Sequence, residues 1–205
     1  MKKQILKNLY TVITSIALVI MLVSFKNLKE SFEEITVKRI NVIDENGKKV
    51  MVISNQERFP FPVLNGKEYK ERSISPAGIV FYKKNGDECG GLGIVDIPSA
   101  NLSKLIFDYS NSEALGFGMY ETKNGKSYGS GFSIAERIPL GSDIEKVGTT
   151  GPERISLSTT NKDAFLVLNA PDGKPRIELK VDSSGTPSFK VFDKDGKAKQ
   201  YFLNN

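Results

Sequence analysis

The chain has 205 residues, with 29 lysines and arginines, 24 acidic residues, one cysteine and no histidine. Without histidine, Ser-His and Cys-His nucleophilic pairs and histidine-based zinc sites are excluded, and a single cysteine excludes an internal disulfide. The formal charge of +5 comes entirely from lysines that precede Glu30, the first acidic residue: Lys2, Lys3, Lys7, Lys26 and Lys29. The remainder is formally neutral, which argues against nucleic acid as a partner.

The first predicted element is an apolar helix over residues 9–25, preceded by a basic tail over residues 1–8. Seventeen helical residues span roughly 25 Å, the short end of what crosses a bilayer core. The positive-inside rule places Lys2, Lys3 and Lys7 in the cytoplasm and sends the rest of the chain across. An uncleaved signal-anchor is expected, with the lipid bilayer as partner. The alternative is secretion after signal cleavage, but no small-x-small site follows the apolar run.

A short helical stalk is predicted over residues 26–35. Phe25, Leu28, Phe32 and Ile35 recur at helical spacing and form one apolar stripe. The stripe is too short for a stable coiled coil, so self-association through the stalk is possible but not favoured.

Residues 36–205 are predicted to form an all-β extracytoplasmic domain. Asn-Gly and Asp-Gly pairs recur between β-rich runs, a pattern that indicates hairpins with two-residue primed turns. The predicted strands are 36–43, 48–54, 78–83, 91–95, 104–109, 114–121, 127–134, 154–159, 164–169, 175–181, 187–192 and 198–203. We expect an antiparallel meander rolled into a barrel-like or two-layer sheet, with an irregular β-propeller as the alternative.

The hairpin around Asn124-Gly125 allows a prediction of register. If Lys123 and Lys126 close the turn, Phe117 lies opposite Phe132. The same register pairs Leu115 with Ile134, Gly118 with Gly131 and Tyr120 with Gly129. One face is then apolar and the other nearly bare of side chains, which favours tight sheet curvature or a smooth surface that a ligand approaches.

Three insertions interrupt the predicted meander, at residues 55–77, 96–103 and 135–153. Long loops in compact domains often carry function. The aromatic residues of the first insertion could fill a pocket or plug an open end of the sheet, and its arginines could pair with a carboxylate or phosphate. The candidate binding residues are Arg58, Phe59, Phe61, Tyr69 and Arg72, together with Glu88.

Several runs in this part of the chain resemble a family of uncharacterised bacterial exported or membrane-anchored proteins. The runs that carry the resemblance are residues 37–47, 51–60, 66–69, 77–78 and 85–92. The family has no assigned activity, so the resemblance implies one intact exported domain and supplies no catalytic residue.

The remaining candidate chemistry has simple structural interpretations. Across the Asn85-Gly86 turn, Cys89 is predicted to pair with Tyr82 as a small buried residue, and Glu88 to lie opposite Lys83. Asp87 and Glu88 could instead form a carboxylate site. Asp193 to Gly196 resembles the start of a calcium loop, but the further acidic ligands are missing, so a turn is expected. No cofactor and no metal site are predicted.

These patterns favour a non-catalytic protein interaction or scaffold module at the bacterial cell envelope, with an envelope protein as a possible partner. The alternative is an envelope glycan-binding domain or a carboxylate-dependent hydrolase.

Overall fold

The computed structural model describes residues 2–24, 31–70 and 74–201. They belong to two compact units, Met1–Val37 and Lys38–Asn205. The first unit contains α1 (Lys2–Ser24), which is long and apolar enough to cross a membrane, as a signal sequence also would be. The helix begins at Lys2 and therefore includes most of the tail that was predicted to precede it.

The predicted helical stalk is wrong over residues 31–35, which have no helical structure. Residues 25–30 lie outside the described residues. They comprise the last residue of the predicted apolar helix and the first five residues of the predicted stalk. Short helices without tertiary partners are marginal in water, and the β-branched run Ile35, Thr36 and Val37 favours extended backbone.

The second unit is almost entirely β, as predicted. Its strands are β1 (Arg39–Ile43), β2 (Lys49–Ser54), β3 (Val63–Leu64), β4 (Lys67–Glu68), β5 (Ala77–Tyr82), β6 (Glu88–Asp96), β7 (Ala100–Asp108), β8 (Glu113–Thr122), β9 (Tyr128–Ala135), β10 (Glu153–Thr160), β11 (Asp163–Asn169), β12 (Pro175–Val181), β13 (Pro187–Phe192) and β14 (Ala198–Tyr201). All twelve predicted strands are present. Only the two-residue strands β3 and β4, which pair inside the first insertion, were not predicted.

Twelve strands form one antiparallel sheet in chain order, from β1 at one edge to β14 at the other, and β3 and β4 form a separate hairpin. In the described part of the chain β1 does not pair with β14, and the strands pack extensively only against their neighbours in this order. Over the described residues no closed barrel is found, and neither the expected barrel-like or two-layer arrangement nor the alternative β-propeller is shown. A meander of hairpins fixes which strands are neighbours, but its local pairings do not determine whether the sheet closes.

The glycine-containing turns of the twelve-stranded sheet differ from the predicted two-residue primed type, which occurs instead at Asn65-Gly66 between β3 and β4. In the first hairpin, the Gly47 N–H donates to the carbonyl of Asp44 at 3.0 Å, and the Asp44 N–H donates to the carbonyl of Lys48 at 2.8 Å. Gly47 has a φ of 78°, and outside glycine only Asn65 and Asn161 have positive φ among the described residues. This is the hydrogen-bonding pattern of a type I turn followed by a glycine bulge, in which only the glycine needs the left-handed conformation.

An aspartate side chain fixes three of these turns. Asp44 Oδ1 accepts the N–H groups of Asn46 and Lys48, both at 2.9 Å. Asp182 and Asp193 accept the corresponding N–H groups of their own turns. The segment 193–196, which resembles a calcium loop in sequence, is therefore a turn whose carboxylate is used by its own backbone.

The predicted register around Asn124-Gly125 is confirmed at all four pairs, including Phe117 with Phe132 and Gly118 with Gly131. The two phenylalanine rings are 5.2 Å apart between centroids, an ordinary distance for an aromatic pair.

That register continues across the whole sheet and separates two faces. One face, here called the apolar face, carries an apolar residue on every strand: Ile40, Ile53, Ile79, Leu92, Leu105, Phe117, Phe132, Leu157, Leu166, Leu179, Phe189 and Tyr201. A second row on the same face is apolar except at Gly90 and Lys199: Val42, Met51, Phe81, Gly90, Phe107, Leu115, Ile134, Ile155, Leu168, Ile177, Val191 and Lys199.

The opposite face, here called the glycine face, carries most of the glycines that lie within the strands. They are Gly78, Gly91, Gly93, Gly116, Gly118, Gly129 and Gly131. At Gly78 an added Cβ would collide with the carbonyl oxygen of Leu92, and at Gly91 with that of Ile79. The neighbouring backbones approach so closely here that only glycine fits, which supports the curvature interpretation of these glycines.

Among the described residues, the fully buried apolar side chains lie on the glycine face or in the insertions. In the described chain they are Val52, Leu64, Val80, Ala135, Ile138 and Ile144. Val52 and Val80 are on the glycine face, and Leu64, Ile138 and Ile144 belong to the insertions. No apolar side chain in either row of the apolar face is fully buried.

We expect Gly78→Ala to lower the free energy of unfolding by about 2–3 kcal/mol, because the new Cβ forces two strands apart. Gly118→Ala is the matched control, since its Cβ would lie 3.2 Å from the carbonyl oxygen of Ser103 and should cost less than about 1 kcal/mol. Urea denaturation of the full chain measures both changes. Equal costs at the two positions would contradict the curvature explanation.

Candidate functional site

A cleft of about 450 Å³ lies between the first insertion and the glycine face of β5, β6 and β7. Apolar side chains of the insertion form its outer wall: Phe59, Pro62, Leu64, Ile74 and Pro76. This is the size of site that accommodates a small molecule or the side chains of a short peptide.

Glycines form much of the cleft's floor. Gly91 and Gly93 lie on β6 beneath the insertion, and Val80 and Ile106 flank them on the neighbouring strands. A Cβ at Gly93 would lie 3.1 Å from two carbon atoms of the Pro76 side chain. A larger residue at this position would therefore fill the space between the insertion and the sheet.

Asp87 holds the insertion over the sheet. This residue is only 5% exposed, and its carboxylate accepts hydrogen bonds from the Gly66 N–H and the Asn85 side-chain amide, both at 2.7 Å. Lys67 connects the same insertion to residues 135–153, from here on called the second insertion, through an ion pair with Glu145 at 2.6 Å. Asp87 and Glu88 therefore do not form the predicted two-carboxylate site. The Asp87 carboxylate is hydrogen-bonded to the insertion and to Asn85, and only Glu88 lines the cleft.

Three carboxyl groups and one amine lie at one end of the cleft: Glu88, Asp108, Glu113 and Lys104. Lys104 forms an ion pair with Glu113 at 2.6 Å. The pKa of Asp108 is raised to about 7, first by burial and then by the neighbouring Glu88 and Glu113 carboxylates, while Lys83 and Lys104 partly oppose the rise. Asp108 therefore exchanges its proton near neutral pH, an unusual property for a carboxyl group and one that marks candidate functional sites.

The second insertion closes the cleft beside this acidic end. The Ser112 hydroxyl, only 2% exposed, accepts the Ile138 N–H at 3.3 Å, and the Glu113 N–H donates to the carbonyl of Thr149 at 2.8 Å. Asn111 donates to the carbonyl groups of Ile138 and Pro139. The loop between β7 and β8 therefore positions both Glu113 and the second insertion.

The structure brings two of the six predicted site residues into the cleft, namely Phe59 and Glu88. Arg58 is exposed, and its backbone carbonyl accepts a hydrogen bond from Arg39 at 3.0 Å. Phe61 is 44% exposed and does not line the cleft. Tyr69 also lies outside it, with the Lys67 amine 4.9 Å from the centre of its ring. Arg72 lies outside the described residues.

Two further predictions about the insertions are not met in the described residues: a long loop at 96–103 and a plug formed by the first insertion. Residues 96–103 do not form a long loop, because β6 and β7 continue almost to the turn and only Ile97, Pro98 and Ser99 connect them. The first insertion lies over the face of the sheet, with Phe59 against it, instead of closing an end of the sheet.

Cys89 does not pair with Tyr82 as predicted. A register shift between Phe81 and Tyr82 places Tyr82 opposite Glu88, so that neither Cys89 nor Lys83 takes its predicted partner. Cys89 is half-buried, and this burial raises the pKa of its thiol.

Sequence reasoning missed Asp108 and Glu113. The signal that could have found them is the register of β7 and β8, which pairs Phe107 with Leu115 and brings the two carboxyl groups together at the strand ends. Lys104 was included in a predicted strand but was not assigned to a site.

Among the described residues, no three His, Cys, Asp or Glu side chains are grouped in a way that could hold a metal ion, and the predicted absence of a cofactor stays a prediction.

Comparisons with known protein families, with characterised proteins and with solved structures found no significant match to this chain.

We expect the raised pKa of Asp108 to make the protein less stable as pH rises. Between about pH 4 and 7 the folded state keeps a proton on Asp108 that the unfolded state has lost, so stability falls through this window. Asp108→Asn should remove this fall, and the difference between the two proteins is measured by urea denaturation at several pH values.

Asp172→Asn serves as the control for this measurement. Hydrogen bonds from Lys174 lower the pKa of Asp172, so its contribution is present at neutral pH and is lost only when the pH falls below about 4. A pH dependence above 4 that is the same in the wild-type protein and in Asp108→Asn would contradict the assignment to Asp108.

Proposed function

We propose that the protein is a membrane-anchored, non-catalytic binding module, and that its cleft binds an extended basic segment of another envelope protein. The observation that carries the proposal is the cleft itself, in which an apolar wall leads to a group of carboxyl groups. Such a site fits an apolar side chain with a lysine or arginine close to it in sequence.

The charge balance at the acidic end supports a cationic ligand. Lys104 is paired with Glu113, while Asp108 keeps a proton for part of the time because burial and, after it, the carboxyl neighbours raise its pKa to about 7. A cation that enters the cleft stabilises the ionised form and releases that proton. Binding should therefore strengthen as the pH rises from about 6 to 8.

The location is also part of the proposal. We place the amino terminus in the cytoplasm and the β domain outside it, on the basis of Lys2, Lys3 and Lys7 before the apolar part of α1. The resemblance to uncharacterised exported or membrane-anchored bacterial proteins supports the same location.

A photoreactive phenylalanine analogue at Ile74 tests the binding proposal in living cells. Ile74 lines the cleft and is 41% exposed, whereas Phe61, in the same insertion, is exposed to a similar extent and lies outside the cleft. We expect the analogue at Ile74 to crosslink to an envelope protein and the analogue at Phe61 not to do so.

The crosslink should also depend on the acidic end of the cleft. Glu88→Gln together with Asp108→Asn should reduce the yield, because these changes remove the charge that attracts a basic segment. If the two positions give the same crosslinks, or if the double substitution leaves the yield unchanged, the cleft is not the binding site.

A second prediction tests the location. A protease added outside intact cells should digest the β domain, and the mass of the purified protein should include α1. A protected domain would overturn the proposed orientation, and a mass that begins after the apolar helix would show a secreted protein.

A second candidate function is supported by the pKa of Asp108. A carboxyl group that is partly protonated near pH 7, close to Glu88 and Glu113, has the properties of the acid in a glycan hydrolase that uses two carboxyl groups. Cell-wall fragments should then raise the thermal stability of the wild-type protein, and Asp108→Asn should abolish any cleavage. The absence of both effects would exclude this candidate.

A further inference from the structure

The apolar face lies on the side of the sheet opposite the cleft. Its two rows run across all twelve strands, and several large side chains on it are half exposed, including Phe117 at 49% and Leu157 at 57%. Both insertions cover the glycine face, where the fully buried residues Val52 and Val80 lie, so nothing in the described part of the second unit covers these two rows. A continuous apolar surface of this extent indicates an interaction site.

We infer that the apolar face is the interface of a homodimer, in which the sheets of two copies pack face to face as a two-layer sandwich. Each copy then supplies the layer that the other lacks. This interface does not involve the predicted stalk, and it does not depend on the cleft, which lies on the other face.

The area of the face fits a stable dimer. Twelve strands about 4.8 Å apart extend over about 53 Å, and the rows of side chains cover about 15 Å along each strand. The resulting area of about 800 Å² per copy equals that of a standard protein–protein interface. The sheets would lie about 10 Å apart, with their side chains interdigitated.

The face is also complementary to itself. Lys199, on the edge strand β14, is the only charged residue in the two rows, so bringing two copies together buries almost no charge. A two-fold axis parallel to the strands at the centre of the sheet places Phe117 of one copy over Phe132 of the other. The same rotation keeps Arg39 of both copies at one end of the sandwich, as two chains anchored in one membrane require.

A lipid surface fits this face less well than a second copy does. Among the described residues, the outer edges of β1 and β14 have no partner strand. Their backbone N–H and C=O groups would be left without hydrogen bonds in hydrocarbon, at a cost of several kcal/mol each. In a face-to-face dimer these edges stay in water.

Crosslinking of the full chain in lipid vesicles tests the dimer. In a Cys89→Ala background, Phe117→Cys places one thiol at the centre of the apolar face. Thr160→Cys is the matched control, because Thr160 is exposed at the end of β10 and lies on the glycine face, opposite Gly129. A bis-maleimide that spans about 10 Å should crosslink the first variant into dimers and leave the second monomeric.

A substitution at Leu157 tests whether the apolar contact causes this dimer. In Leu157→Glu, dimerisation would bury two glutamate side chains, one from each copy. We expect self-association to weaken by at least about 30-fold, so that the crosslinked dimer is no longer seen on a gel. Thr160→Glu, on the same strand but on the opposite face, should leave the band unchanged. Because Leu157 is 57% exposed within one chain, its replacement does not disturb a buried core.

Three results would overturn the proposal. The first is equal crosslinking of the Phe117→Cys and Thr160→Cys variants. The same comparison is made with Met119→Cys, a second position on the apolar face, in place of Phe117→Cys. The second is quenching of a fluorophore at position 117 by brominated acyl chains, which would identify a lipid occupant. The third is a crosslink from position 117 to a protein of different mass in cells. All three results are independent of crosslinking from Ile74 in the cleft, so the failure of one proposal is distinguishable from the failure of the other.

Discussion

The register shared by the twelve strands of the main sheet is the constraint on which the structure depends. Because side chains alternate between the two faces of a strand, a slip of one residue in any hairpin would exchange its apolar and glycine faces. The turns prevent such a slip. In six hairpins a glycine with positive φ and, in three of these, an aspartate that accepts two backbone N–H groups fix where the next strand begins.

The unequal faces follow from this register and determine where a site can form. Without a Cβ at Gly93, Pro76 of the first insertion approaches the sheet closely, and a cleft lies between the insertion and the sheet. The apolar face has no such cover and keeps its side chains at the surface. One sheet thus combines a small site, shaped by loops, with a large apolar surface that nothing in the described part of the second unit covers.

Most of the fold was predictable because its signals are local. Turn glycines and alternating apolar residues marked all twelve long strands, and one hairpin could be placed in register from Asn124 and Gly125 alone. The open sheet was not predictable, since closure depends on pairing between distant edges. Residues 31–35 were assigned to a helix from apolar spacing, although no tertiary partner was in view that could stabilise it.

The candidate site was predictable only in part, because it combines residues from several hairpins. Phe59 and Glu88 stood out by their residue type within an unusual loop and turn, whereas Asp108 became significant only through its burial and its neighbours. The register shift at Phe81 and Tyr82 also decided which side chains meet, and no sequence signal marked it.

The restriction of strand contacts to adjacent strands has a consequence for how the domain folds. In such an arrangement each hairpin depends mainly on the one before and the one after it, so stability is approximately a sum of nearest-neighbour terms, as in repeat proteins. Contacts that are close in sequence also favour rapid folding. The sheet should therefore assemble from any interior hairpin outward and open from its ends, with the short strand β14 exchanging its amide protons before the central strands do.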